Sequence, residues 1–157
     1  MFLVVLLGCG ASSPGAAPSS AVGADQTLAA HTYRESGHQG MGSTSRQVTV
    51  DGSGRVSVLI ESSGVDPDRR DCGSISESER RDLEQAIRRA VASGLSPLYN
   101  TSAEPGPDAN YSRSEQLVLA DGGTTHTVEI AGWADVPLEL QHVRELLDSY
   151  QARCPQR

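Results

Sequence analysis

Lysine is missing from this chain, and all thirteen basic residues are arginine. Aromatic residues are scarce as well: one Phe, one Trp and four Tyr in 157 residues. A core must therefore be assembled mainly from Val, Leu, Ile and Ala. There is no basic excess. A net charge of −7 excludes the phosphate-neutralising surface that a nucleic-acid binder needs. Nor is there an apolar run of the ~20 residues needed for a membrane-spanning helix. No HExxH, no GxSxG elbow and no metal-ligand spacing among His31, His38, His126 and His142 can be found. The glycine-rich stretch Gly37-His38-Gln39-Gly40-Met41-Gly42 leads into a strand, so it lacks the helix N-terminus of a phosphate cradle. Catalytic residues, metal ligands and cofactors are accordingly expected to be none, and the chain is read as a non-enzyme.

What is present begins at the N-terminus. Met1-Phe2-Leu3-Val4-Val5-Leu6-Leu7-Gly8-Cys9-Gly10 is an apolar run ending in Leu-Leu-Gly-Cys, and it resembles the lipobox of bacterial lipoproteins. The resemblance implies that residues 1–8 are a signal peptide and that Cys9 is acylated and becomes the mature N-terminus. A basic n-region is lacking, which a truncated signal peptide with a start site placed too late accounts for. The alternative is a fortuitous apolar end beside a free thiol. Residues 10–24, rich in Ala, Ser, Pro and Gly, have little to bury and read as a flexible tether, with a reach of roughly 20 Å. The expected organisation is thus signal peptide 1–8, lipidated cysteine and tether 9–25, and one domain over 26–157. That domain, about 130 residues, suffices for a single core. The expected location is the bacterial cell envelope, anchored to the membrane by lipid. Gly10 in place of the Asp that retains lipoproteins in an inner membrane favours the outer one.

Within the domain, alternation predicts strands over 27–34, 47–50 and 55–61, with Val48, Val50, Val56, Val58 and Ile60 facing inward. Asp51-Gly52-Ser53-Gly54 reads as a hairpin turn in which both glycines take positive φ. Ser76 followed by Glu79 forms a capping box. The helix behind it carries Leu83, Ala86, Ile87, Ala90 and Val91 on one stripe and ends at Gly94. Its opposite face, with Arg80, Arg81, Asp82, Glu84, Arg88 and Arg89, reads as solvated surface. A second hairpin, 116–120 and 125–131 around Asp121-Gly122-Gly123, brings Leu117 and Leu119 to Val128 and Ile130. A final helix starts at Pro137 as N1, with Leu140, Val143, Leu147 and Tyr150 inward and Leu146 beside them. The fold class expected is α+β: an antiparallel sheet of four or five strands with two helices on one face, in the order strands-helix-strands-helix.

Three cysteines are an odd number. Lipidation of Cys9 leaves Cys72 and Cys154, which flank the two helices and would meet if the helices pack antiparallel. In an oxidising compartment they are expected to form a disulfide, the alternative being two reduced, buried thiols. Two segments offer binding loops. Residues 36–44 contribute Gly37, His38, Gly40 and Met41, and the aperiodic stretch 96–112 contributes Tyr99, Asn100 and Tyr111. The glycosylation-type triplets at Asn100 and Asn110 are read as chance.

The order Tyr33-Arg34-Glu35-Ser36-Gly37-His38-Gln39-Gly40, then Val48-Thr49-Val50-Asp51, resembles the emfourin-like proteins, a small bacterial family related to the protealysin inhibitor. The similarity spans residues 28–147. His38 replaces the family's second glycine and the usual aromatic after it is missing, so no inhibitory residue is carried over. The resemblance implies inhibition of a thermolysin-type metalloprotease. Together these features predict a lipid-anchored envelope protein acting as a non-catalytic binding module for a protein partner, with a protease inhibitor as one form. The alternative is a structural or assembly lipoprotein of the envelope.

Overall fold

A computed structural model of the chain describes residues 26–37, 42–100, 111–132 and 134–155. Strands β1 (Thr27–Gly37), β2 (Ser43–Asp51), β3 (Arg55–Ser62) and β4 (Val65–Ser74) precede helix α1 (Glu77–Ala92). Then follow β5 (Leu98–Tyr99), β6 (Tyr111–Asp121), β7 (Thr124–Ala131) and helix α2 (Leu138–Gln151). All seven strands form one sheet in the order β4-β3-β2-β1-β6-β7-β5. Neighbours pair antiparallel, except that β5 runs parallel to β7. The α+β class holds.

The four or five strands expected from alternation are too few. β4 reads Val-Asp-Pro-Asp-Arg-Arg-Asp-Cys-Gly-Ser and shows no alternation because it is an edge strand, where charges and a proline are tolerated. Its pairing with β3 shifts register around Pro67 and again before Gly73, and Gly73 takes positive φ. β5 is only two residues long, below what any periodicity can register. It also corrects the reading of 96–112 as structureless, since Leu98 and Tyr99 lie opposite Glu129 and Ile130 and β6 begins at Tyr111. The ends of the other proposed loop, 36–44, are likewise in strand: Ser36 and Gly37 close β1, and Ser43 and Thr44 open β2.

The register of the β1–β2–β3 meander sets Ala29 opposite Val50, His31 opposite Val48, and Val48 opposite Val58. With period-2 alternation this gathers Val48, Val50, Val56, Val58, Leu117, Leu119, Val128 and Ile130 on one face. All of them are buried, against Leu83, Ile87 and Ala90 of α1 and Leu140, Val143, Leu147 and Tyr150 of α2. Both helices therefore cover the same face. Burying each Val, Leu or Ile among them contributes about 1.5–3 kcal/mol.

The turns follow local chemistry. Gly122 and Gly123 have φ of 55° and 84°, the doubly left-handed two-residue loop that matches strand twist. At the first hairpin only Gly54 is left-handed, with φ 85°; the expectation for Gly52 fails. The Asp51 carboxylate instead accepts from Ser53 N–H, the Ser53 hydroxyl and Arg55 N–H, which satisfies the loop without a second positive φ. The Ser76–Glu79 capping box forms in both directions. Gly94, φ 86°, follows the C-cap Ser93. Pro137 is the N-cap of α2 rather than N1, because its extended ψ of 146° lies outside the helix. Ile130 faces Glu115 across the β6–β7 ladder, and Leu117 faces Val128.

Cys72 at the end of β4 and Cys154 just beyond α2 are joined as a disulfide with a Cα–Cα distance of 4.6 Å, well inside the range a bridge requires. Tyr150 Oη donates to Glu79 O at 3.3 Å and Arg153 pairs with Glu79 at 2.5 Å. The C-terminal end of α2 thus lies on the N-terminal end of α1. Among the described residues no helix is long and apolar enough to cross a membrane.

Candidate functional site

Along the helix-covered face of β1 the side chains run Ala29, His31, Tyr33, Glu35, changing from apolar to polar as the strand leaves the core. β6 does the same in reverse, with Leu119 and Leu117 giving way to Glu115 and Arg113. The register puts Tyr33 opposite both Arg46 of β2 and Glu115 of β6. α2 crosses above this transition and contributes Arg144 and Asp148, four residues apart and so on one side of the helix.

These residues form a charged cluster at the margin of the core. Glu115, with 2% of its side chain exposed, is its centre. His31 Nε2 stands 2.9 Å from Oε2, which Arg144 Nη2 approaches to 2.8 Å, while Oε1 accepts from Arg144 Nη2 at 3.0 Å and from Arg113 Nη2 at 2.6 Å. On its far side, His31 Nδ1 lies 3.3 Å from Asp148 Oδ1. An imidazole with a carboxylate on each nitrogen can donate to both only as the imidazolium. Burial by itself would lower the His31 pKa, but the hydrogen bonds to Asp148 and Glu115 and their charges outweigh it, and the pKa is raised above 6.5. For Glu115, burial pushes upward. The hydrogen bonds from His31 and Arg113, with the Arg144 and His31 charges, dominate and hold it at about 2. Near neutrality Glu115 is an ionised acceptor surrounded by cations. It therefore ties β1, β6 and α2 together and is not free to exchange a proton.

Above the cluster, Tyr33 is half-buried between two guanidinium groups. Arg113 lies 4.8 Å and Arg46 5.8 Å from the ring centroid, within cation–π range. At the same end of the sheet an open hollow of about 450 Å³ is lined by Arg34, Ser36, Ser43, Ser45, Glu61 and Ser114. Hydroxyls meet here: Ser36 of β1 and Ser112 of β6 at 2.6 Å, and Ser43 of β2 and Ser63 of the β3–β4 turn at 3.0 Å. Among the described residues no three His, Cys, Asp or Glu side chains converge on a metal site.

Of the residues singled out by sequence, Gly37 and Tyr111 are brought together as a directly paired couple at the ends of β1 and β6. Tyr99 is not a loop contact. It packs against the core margin, and its hydroxyl accepts from Ser96 N–H at 3.1 Å. Asn100 follows it, exposed. Cys9, His38, Gly40 and Met41 lie outside the described residues. Sequence reasoning passed over the cluster His31, Tyr33, Arg46, Arg113, Glu115, Arg144 and Asp148. Its signals were a charged residue on the inward phase of β6 and an Arg/Asp pair beside the α2 stripe. Both read as surface until the register sets them against His31. No protein-family model matches this chain, and no curated protein matches it.

Proposed function

We propose that the chain is an exported, lipid-anchored bacterial envelope protein whose domain is a non-catalytic module binding a protein partner, with a protease as the first candidate. The observation that carries this reading is the layout of the sheet. β1 starts at Thr27, next to the Ala/Ser/Pro/Gly segment, and ends at Gly37 beside Tyr111. Eleven residues of strand place the loop end roughly 35 Å from the end of the domain that the tether joins. The loop end also carries the Arg46–Tyr33–Arg113 stack, and Tyr and Arg are the residue types enriched where interfaces hold most of their energy. A disulfide between strand and helix suits an oxidising compartment.

Two measurements test the reading. Expressed in a bacterium behind a lipoprotein leader, the wild-type protein should partition into detergent and Cys9→Ala should stay unprocessed or become soluble. An intact Met1 without lipid on the native protein would refute the anchor. For the partner, the resemblance to emfourin-like proteins selects a thermolysin-type metalloprotease. Inhibition at nanomolar concentration that disappears when residues 36–44 are replaced, with an unchanged melting temperature, is the expected result. No inhibition, together with co-purification in an envelope assembly complex, would favour a structural lipoprotein.

A further inference from the structure

The two outer edges of the sheet are built in opposite ways. β4 exposes Asp66, Pro67, Arg69 and Asp71, keeps Asp68 and Arg70 half-buried, and breaks register twice; charges, a proline and broken register are the devices that stop a strand edge from pairing with another chain. The other edge has none of them over residues 124–128. There β7 reads Thr-Thr-His-Thr-Val, with no proline and no Asp, Glu, Lys or Arg. Its register with β6 is unbroken from Thr124 to Ala131. β5 covers only Glu129 and Ile130.

Backbone polarity follows from one hydrogen bond. Glu129 N–H donates outward to Pro97 O at 2.9 Å. Because backbone groups alternate sides along a strand, Thr127 and Thr125 also direct N–H and C=O outward. Both are exposed, and among the described residues no other strand pairs with them. We propose that this edge of β7 is a strand-addition site for a short extended peptide of a partner protein, with uncharged residues at its centre and basic residues at its ends.

The occupant follows from size and charge. The free lane is bounded by the Gly122–Gly123 turn at one end and β5 at the other, about 17 Å at ~3.3 Å per residue. Pairing that short covers on the order of a few hundred Å², well below the ~1,000 Å² a stable interface between two copies needs. A peptide needs less, since main-chain bonds supply affinity and alternate side chains supply selectivity. Asp121 and Glu129 stand at the two ends of the lane, and β7 offers no Lys or Arg to oppose them, so basic ends are matched. The inference rests on the binding-module reading and names a surface for it, separate from the Gly37–Tyr111 end.

The test uses the full chain and the acetylated, amidated heptapeptide Arg-Thr-Val-Thr-Val-Thr-Arg. Binding should slow hydrogen exchange at Thr125 and Thr127. Two N-methylated versions of the peptide, methylated on alternate amides, should differ: one weakens binding by at least about tenfold, the loss of one or two main-chain bonds, and the other stays within about twofold. Thr127→Pro removes an outward N–H while sparing the β6 ladder and should weaken binding by a similar factor. Should that variant fail to fold, the two methylated peptides decide alone. Equal effects of the two methylations, or no slowing at about 1 mM peptide, overturn the proposal. Slowing confined to the Gly37–Tyr111 end overturns the edge and leaves the module reading standing. Edge pairing without protease inhibition does the reverse for the protease.

Discussion

His31 is the residue whose chemistry reports most directly on the packing of α2. Its pKa is raised in the folded chain, so the folded state binds the proton more tightly than the unfolded one. The resulting stability is fully present below the ordinary value of 6.5 and is lost as pH rises through the raised folded pKa. Wild-type melting temperature should therefore fall as pH rises from about 6 through the folded pKa, and His31→Gln should flatten that slope. An imidazole that titrates below 6.5 by NMR would contradict the assignment. Glu115 has the opposite sign. Held at about 2, it contributes stability above the ordinary value of 4.5 that disappears as pH drops toward 2. Glu115→Gln removes the shared partner of His31, Arg113 and Arg144. Unfolding in urea should show a loss of about 3–5 kcal/mol, the range for breaking a buried ion pair on one side.

At the scale of elements, α1 owes its start to a side-chain cap and its position to four buried residues. Ser76→Ala should cost about 1 kcal/mol, because Glu79 N–H loses the Ser76 hydroxyl as its acceptor. Leu83→Ala and Leu147→Ala, each fully buried, should cost about 2–5 kcal/mol. Arg88→Ala, on the exposed face with a 3.9 Å ion pair to Glu84, should stay within about 0.5 kcal/mol of wild type. Thermal melts of the three classes rank the contributions. A Ser76→Ala loss as large as that of Leu83→Ala would show that α1 is held by its end instead of its stripe.

For the molecule as a whole, the disulfide is the longest-range constraint. Cys72 and Cys154 are 82 residues apart, a loop whose closure entropy corresponds to about 4–5 kcal/mol of stabilisation. It fastens the β4 edge to the end of α2, and so holds the helix layer against the outer strand of the meander. Reduction, or Cys72→Ser with Cys154→Ser, should lower the urea midpoint accordingly while the circular dichroism of the folded state is kept. A double variant as stable as the oxidised protein would mean that the hydrophobic layer alone sets the helix position.

Local periodicity determined most of the apolar architecture. Val48, Val50, Val56 and Val58, the Leu83–Ile87–Ala90 stripe and the Leu140–Val143–Leu147–Tyr150 stripe are all buried where alternation and helical spacing put them. Each of these patterns repeats within a few residues, as do the capping box and the two-glycine hairpin. β4 and β5 were not legible because an edge strand has only backbone to pair and no buried face to imprint a pattern. The cluster around Glu115 belongs to the tertiary structure for a different reason. His31, Glu115 and Asp148 are 84 and 117 residues from one another along the chain in the two contacts that matter, and a charge reads as surface until register and helix placement supply its partners. The same holds for the free lane of β7, since whether Thr125 and Thr127 face a neighbour or solvent depends on how little of that edge β5 covers.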